Sequence, residues 1–271
     1  MTNIFARQPT LFLPHGGGPC FFMDWTWGPA ETWHATQRFL EGIAATLPAP
    51  PKALLVVSGH WEEAAFTAST AATPQLIFDY SGFPEHTYRL TWPAPGHPTL
   101  AARVADLLKQ AGLPSATTPE RGFDHGVFVP LKVAFPDAQI PVVSLSLASS
   151  LDPALHLAAG QALAPLRDEG VLIVGSGMSF HNLRGYSRPE TRERARAFDS
   201  WLNNAVESAA PERARLLADW RTAPFAAYAH PREEHLIPLM VAAGAGGGAP
   251  GMRIFSDEPM GATISAYRFE G

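Results

Sequence analysis

The chain has 271 residues, 46% of them hydrophobic and 17% charged, with a formal net charge of −5. Such a composition is that of a globular protein long enough to bury a core, and it excludes a disordered chain. The negative balance argues against a face for nucleic-acid phosphates, and the single cysteine, Cys20, excludes an intrachain disulfide and cysteine-rich metal sites.

The N-terminal stretch "MTNIFARQPTLFLPHGGG" carries one arginine and an apolar run confined to Leu11–Leu13. It is no secretory signal, and no later stretch is long and apolar enough for a membrane span, so a cytoplasmic location without membrane attachment is expected. The run stops at His15 and Gly16–Gly18. A histidine set against bare backbone suits close approach of a ligand, and it equally suits a Gly-rich turn at a strand end. "ALLVVSGHW" (53–61) then reads as a strand whose lack of alternation marks burial on both faces.

"PTLAARVADLLKQAG" (98–112) places Leu100, Val104, Leu107 and Leu108 at helical spacing and ends on Gly112. His125, in "RGFDHGVFVPL", reads as a loop residue ahead of an apolar segment. "PVVSLSL" (141–147) and "GVLIVGSG" (170–177) are further buried strands around a helix over 151–170, whose Asp152–Pro153 is an N-cap and N1 pair. A helix over 189–209 opens acidic, with an Arg-rich, Glu-interleaved solvated face. A Leu-rich helix starts near Pro238, "AAGAGGGAPG" (242–251) reads as a flexible surface loop, and "ISAYRFE" (264–270) closes the chain as a strand.

Strands alternating with helices, without an internal repeat or a Pro/Ser-rich linker, predict an α/β fold. We expect one layered domain over 1–271, with a central mostly parallel or mixed sheet flanked by helices. In such sheets ligands bind beyond the carboxyl ends of the strands. His15, His60 and His181 follow apolar runs there, and His125 and His235 stand in comparable loops. His34, His97 and His156 read as surface or packing residues, and His86 and His230 as turn or helix-start residues.

Two other motif readings are weak. "HGGG" and "GMSFH" around Ser179 approach a lipase oxyanion loop and nucleophile elbow, but His181 replaces the last glycine and no helix follows directly. "GSGMSF" lacks the third glycine of a dinucleotide fingerprint, so no nucleotide or flavin is expected.

Six segments in order carry a family pattern: "LPHGGGP", "VVSGHWE", "DYSGFPEHTYRLTWPAPG", "FDHGVFVPL", "GSGMSFHNL" and "HPREEHLIPL". Together, over about residues 9–245, the sequence resembles the DODA-type (4,5-DOPA) extradiol ring-opening dioxygenases of the class III, LigB-like superfamily. The resemblance implies one non-haem divalent metal, Fe(II) for oxygenase activity or Zn(II). It implies His15, His60 and His235 as its ligands and His181 as the acid/base residue and possible fourth ligand. It further implies His125 as a second pocket histidine, with Tyr88 and Trp61 lining the pocket. Some members use a carboxylate as third ligand, and here Glu234 is the reserve for His235. A helical turn reaching back to 234 would turn Glu234 away from the stripe of Leu236, Leu239, Met240 and Ala243.

The implied reaction inserts O2 into a DOPA-like or other para-substituted catechol to give a muconic semialdehyde. Its partners would be a small aromatic diol and O2, and the protein a monomer or small homo-oligomer. A zinc-dependent hydrolase on the same histidines and a non-catalytic, Memo-like binding protein are the alternatives.

Overall fold

Runs without polar alternation become the centre of the sheet. The computed structural model describes residues 6–271, and the first five residues of the N-terminal stretch lie outside the described residues. The strands are β1 (Thr10–Pro14), β2 (Ala53–Glu63), β3 (Phe66–Ser69), β4 (Ser115–Thr118), β5 (Val142–Ala148), β6 (Val171–Gly177), β7 (Met252–Asp257) and β8 (Ile264–Phe269). They form one sheet in the order β4-β3-β5-β2-β6-β1-β8-β7.

The inner four, β5-β2-β6-β1, are mutually parallel, while β3 meets β5, and β8 meets β1 and β7, antiparallel. β1, β5 and β6 are buried at every residue. This is the pattern of a sheet covered on both faces, where period-2 alternation has no solvent side to report.

The helices are α1 (His34–Gly42), α2 (Pro98–Gln110), α3 (His125–Ala134), α4 (Pro153–Leu163), α5 (Thr191–Glu207), α6 (Ala210–Ala218), α7 (Ala226–Ala229) and α8 (Ile237–Ala245). Asp152 caps α4 by accepting from the Ala154 and Leu155 amides, as its sequence foreshadows. α8 is buried at eight of its nine residues, so it is a core helix rather than an amphipathic surface one. No helix among the described residues is long and apolar enough to cross a membrane.

Two expectations need correction. His125 is the first residue of α3, not a loop residue; Gly126 and Pro130 inside the helix disguise it. The segment 242–251 is not one loose loop: α8 runs to Ala245, and Gly246 and Gly251 both pack on the Phe269 ring. Two of the histidines set aside are structural. His156 is buried, donating to Asp152 O and accepting from Ala148 N, and His97 caps α2 by accepting from Leu100 N.

Because β1, β2 and β6 are parallel neighbours, their carboxyl ends share one edge of the sheet. Pro14 pairs with Gly177, and Ser58 with Ser176, in almost the same row. The site is built just past that row.

Candidate metal centre

His15 follows β1 directly, and its amide donates to Gly177 O, which ties the two strand ends together. His60 lies within β2 at an irregularity: between Val57 and Glu62, β2 advances five residues while β5 advances two. Such a bulge re-aims side chains. The Ser58 hydroxyl steadies it, accepting from His60 N and donating to the buried Asp124 carboxylate at the head of α3. His235 sits just before α8. Its carbonyl accepts from Met178 N, and Gly177 makes that approach possible, because a Cβ there would lie 2.1 Å from His235 O.

These three histidines converge. His60 Nε2 is 3.3 Å from His15 Nε2 and 3.1 Å from His235 Nε2. Two of the rings have an acceptor on their far side. His15 Nδ1 donates to Gly16 O at 2.9 Å, and His235 Nδ1 donates to Glu234 Oε1 at 2.8 Å. His60 Nδ1 faces Asp79 Oδ2 at 3.6 Å. His15 Nε2 and His235 Nε2 are thereby left as acceptors, and with His60 Nε2 they converge where one cation would take their lone pairs.

The spacing fits one ion, since nitrogens roughly 2.0–2.1 Å from a metal at octahedral or tetrahedral angles stand about 2.9–3.4 Å apart. Burial first, and the neighbouring imidazoles second, hold His15 and His235 well below the usual histidine range. His60 is pushed down to about 3, chiefly by burial. All three are neutral near pH 7, the form that binds metal.

Two more histidines and two carboxylates complete the cluster. His125 Nδ1 and its backbone amide both donate to Asp79 Oδ1, at 2.8 and 2.9 Å. One carboxylate thus faces His60 and His125 together. Burial alone would raise the Asp79 carboxyl, but its hydrogen bonds to His125 hold it down at about 2. The His181 ring stacks on His235 at 3.4 Å between centroids, with its Nδ1 3.4 Å from Glu234 Oε1. Glu234, also paired with Arg232, therefore spans His181 and His235 and is held ionised below the usual glutamate range against the opposing effect of burial.

Glu234 groups with His181 and His235 rather than with His15 and His60, which sets it behind the three convergent imidazoles. The helical argument does not reach it, since α8 begins only at Ile237. Outer carboxylates of this kind orient ligand imidazoles, and losing one typically costs about 10–100-fold in metal affinity. Asp79→Ala should accordingly weaken metal binding about 10–100-fold in a competition titration against a chelating dye. Wild-type affinity in this variant would show that Asp79 orients nothing.

All five predicted histidines line one cavity, together with Gly16–Gly18, Tyr80 and several other aromatic side chains. Trp61 and Tyr88 do not line it, a correction to the sequence reading. Trp61 donates to Glu63 and lies under the Arg121 guanidinium, and Tyr88 packs behind Tyr80, at 5.2 Å between ring centroids. The glycines also serve their surroundings more than open space. Gly16 has φ +85°, and a Cβ there would strike Cys20 Sγ at 2.5 Å. Sequence reasoning missed Asp79, Tyr80 and the contacts of Glu234 with His235 and His181. The hydrolase reading of Ser179 finds no support: it is buried, and its hydroxyl accepts from Ser265 N.

Comparison with known proteins agrees with this geometry. Residues 9–269 match the family described as the catalytic LigB subunit of aromatic ring-opening dioxygenase. The chain is 44% identical over 246 residues to a protein of Beta vulgaris named 4,5-DOPA dioxygenase extradiol, covering 89% of this chain and 87% of the relative. It is 38% identical over 277 residues to dioxygenase tasH of Hapsidospora irregularis, covering 97% and 86%. A crystal structure of an uncharacterized protein from Escherichia coli K12 superposes with a TM-score of 0.79 at 30% identity, covering 97% of this chain and 100% of that one.

Proposed function

The chain belongs to the LigB family of aromatic ring-opening dioxygenases and is an oxidoreductase of the extradiol ring-cleaving class, and we propose that its substrate is a catechol carrying a substituent para to one hydroxyl. The observation that carries this reading is the cluster of three neutral imidazoles on one face of a cavity that also presents two further histidines. Iron(II), when bound, supplies the open positions and redox chemistry that bring a chelating diol and O2 together.

His15, His60 and His235 hold that ion, and Asp79 and Glu234 keep the rings aimed. His181 takes a proton from a catechol hydroxyl and returns one as the ring opens, with Glu234 accepting at its Nδ1–H. His125, fixed by two hydrogen bonds to Asp79, steadies charge that develops on oxygen. The ring C–C bond beside the diol breaks and both atoms of O2 enter the product. The ring supplies all the electrons, so no reductant is consumed.

The same three imidazoles also suit zinc, which has no redox chemistry. Protein reconstituted anaerobically with Fe(II), then given a para-substituted catechol and O2, should form a yellow ring-opened semialdehyde, identified by its mass and its visible enolate band. The zinc-loaded protein should form little or none. An equal yield from zinc protein, or a product with the ring intact, contradicts the reading.

A further inference from the structure

The cavity over the histidine cluster has a volume of about 500 Å³. Its floor is buried, with His15, His125 and His235 at 2%, 6% and 4% exposure. Its mouth is marked by Trp27 and Leu183, which line it and are 56% and 72% exposed. Large apolar side chains left in water at the rim of a cavity mark a surface meant to be covered.

Among the described residues, no Asp, Glu, Lys or Arg stands on the lining. Of the charged residues next to lining residues in the chain, Asp24 and Arg184 are exposed, while Asp79, Asp124 and Glu234 stand behind the histidine floor, engaged by His125, Ser58 and His235. Hydroxyls on the wall are committed elsewhere: Tyr80 donates to Thr87 O at 2.7 Å and Tyr186 to Phe180 O at 3.3 Å.

An ammonium or carboxylate on a tail lying along this wall gives up water and meets no oppositely charged side chain on the lining, which is costly. An uncharged tail gives up little and covers the exposed apolar rim. We infer that this site takes catechols whose para substituent is uncharged and largely apolar, such as an alkyl or ester-bearing tail, and that it discriminates against amino-acid, amine and free-acid tails. The inference rests on the dioxygenase reading above and narrows its substrate class. It makes L-DOPA, the compound in the name of the Beta vulgaris relative, a poor substrate for this chain.

A panel with similar rings and tails tests it: 4-propylcatechol, methyl 3,4-dihydroxyphenylpropionate, the corresponding free acid, dopamine and L-DOPA. With Fe(II)-reconstituted protein the two neutral compounds should exceed the three charged ones in kcat/KM by about tenfold or more. Anaerobic binding, read from quenching of indole fluorescence, should follow the same order. L-DOPA or the free acid at or above the neutral pair overturns the inference while leaving the dioxygenase reading standing. No ring opening with any of the five overturns both. Leu183→Arg, at an exposed position that tolerates a polar side chain, should narrow the gap between acid and ester by about threefold or more by supplying the missing cation. An unchanged acid-to-ester ratio in this variant counts against the inference.

Discussion

Alanine at any one of His15, His60 or His235 should weaken metal binding by more than the roughly 100-fold that marks the upper range for an outer partner. Each ring supplies one of three convergent nitrogens, and water cannot restore the geometry because each ring is held from behind. Gly16 O fixes His15, Glu234 fixes His235, and Asp79 faces His60. Metal analysis after dialysis against a weak chelator should find wild-type protein loaded and all three variants nearly empty, with far-ultraviolet circular dichroism unchanged. Full occupancy in all three would dissolve the site.

Replacing His181 should separate chemistry from binding. Proton transfer by a positioned side chain is worth about 10²–10⁴-fold in rate, so His181→Ala should lose turnover on that scale while keeping most of its metal. Some loosening of His235 is expected, because the two rings stack and share Glu234. Metal loss equal to that of His15→Ala would instead make His181 a fourth ligand. The two outcomes are distinguished by measuring metal content and kcat on the same preparation.

How much of the molecule is legible in its sequence follows from the kind of signal each residue leaves. The buried strands at 53–61, 141–147 and 170–177 announce themselves as apolar runs, and they appear as β2, β5 and β6. Histidines at the ends of such runs can be placed at the sheet's edge from the sequence alone, because parallel strands bring their carboxyl ends together. The outer strands β4 and β7 are short and partly exposed, and they carry no such run.

Glu234 stands out in the sequence only as an alternative ligand beside His235, and nothing near Asp79 sets it apart from a surface carboxylate, because both carboxylates meet the cluster through the rings of other residues. The misplacement of Trp61 has a local cause. β2 is irregular between Val57 and Glu62, so alternation does not decide which of His60 and Trp61 faces the cavity, and Trp61 turns instead to Glu63 and Arg121. Tyr80 sits in an irregular stretch and Tyr88 in a short 3-10 helix over Glu85–Arg89, and no sequence periodicity decides which ring comes forward. Only the packing of Tyr80 against His125, with ring centroids 5.7 Å apart, settles that order.

Oxygen uptake decides whether the three-histidine site serves ring cleavage by O2 rather than hydrolysis or passive binding. It is measured with an electrode on Fe(II)-reconstituted protein given a limiting amount of 4-propylcatechol. One O2 should be consumed per catechol, with no hydrogen peroxide released, and uptake should cease when one hydroxyl is methylated so that chelation fails. No O2 uptake with any catechol, together with ester or amide hydrolysis by the zinc-loaded protein, would contradict the dioxygenase reading.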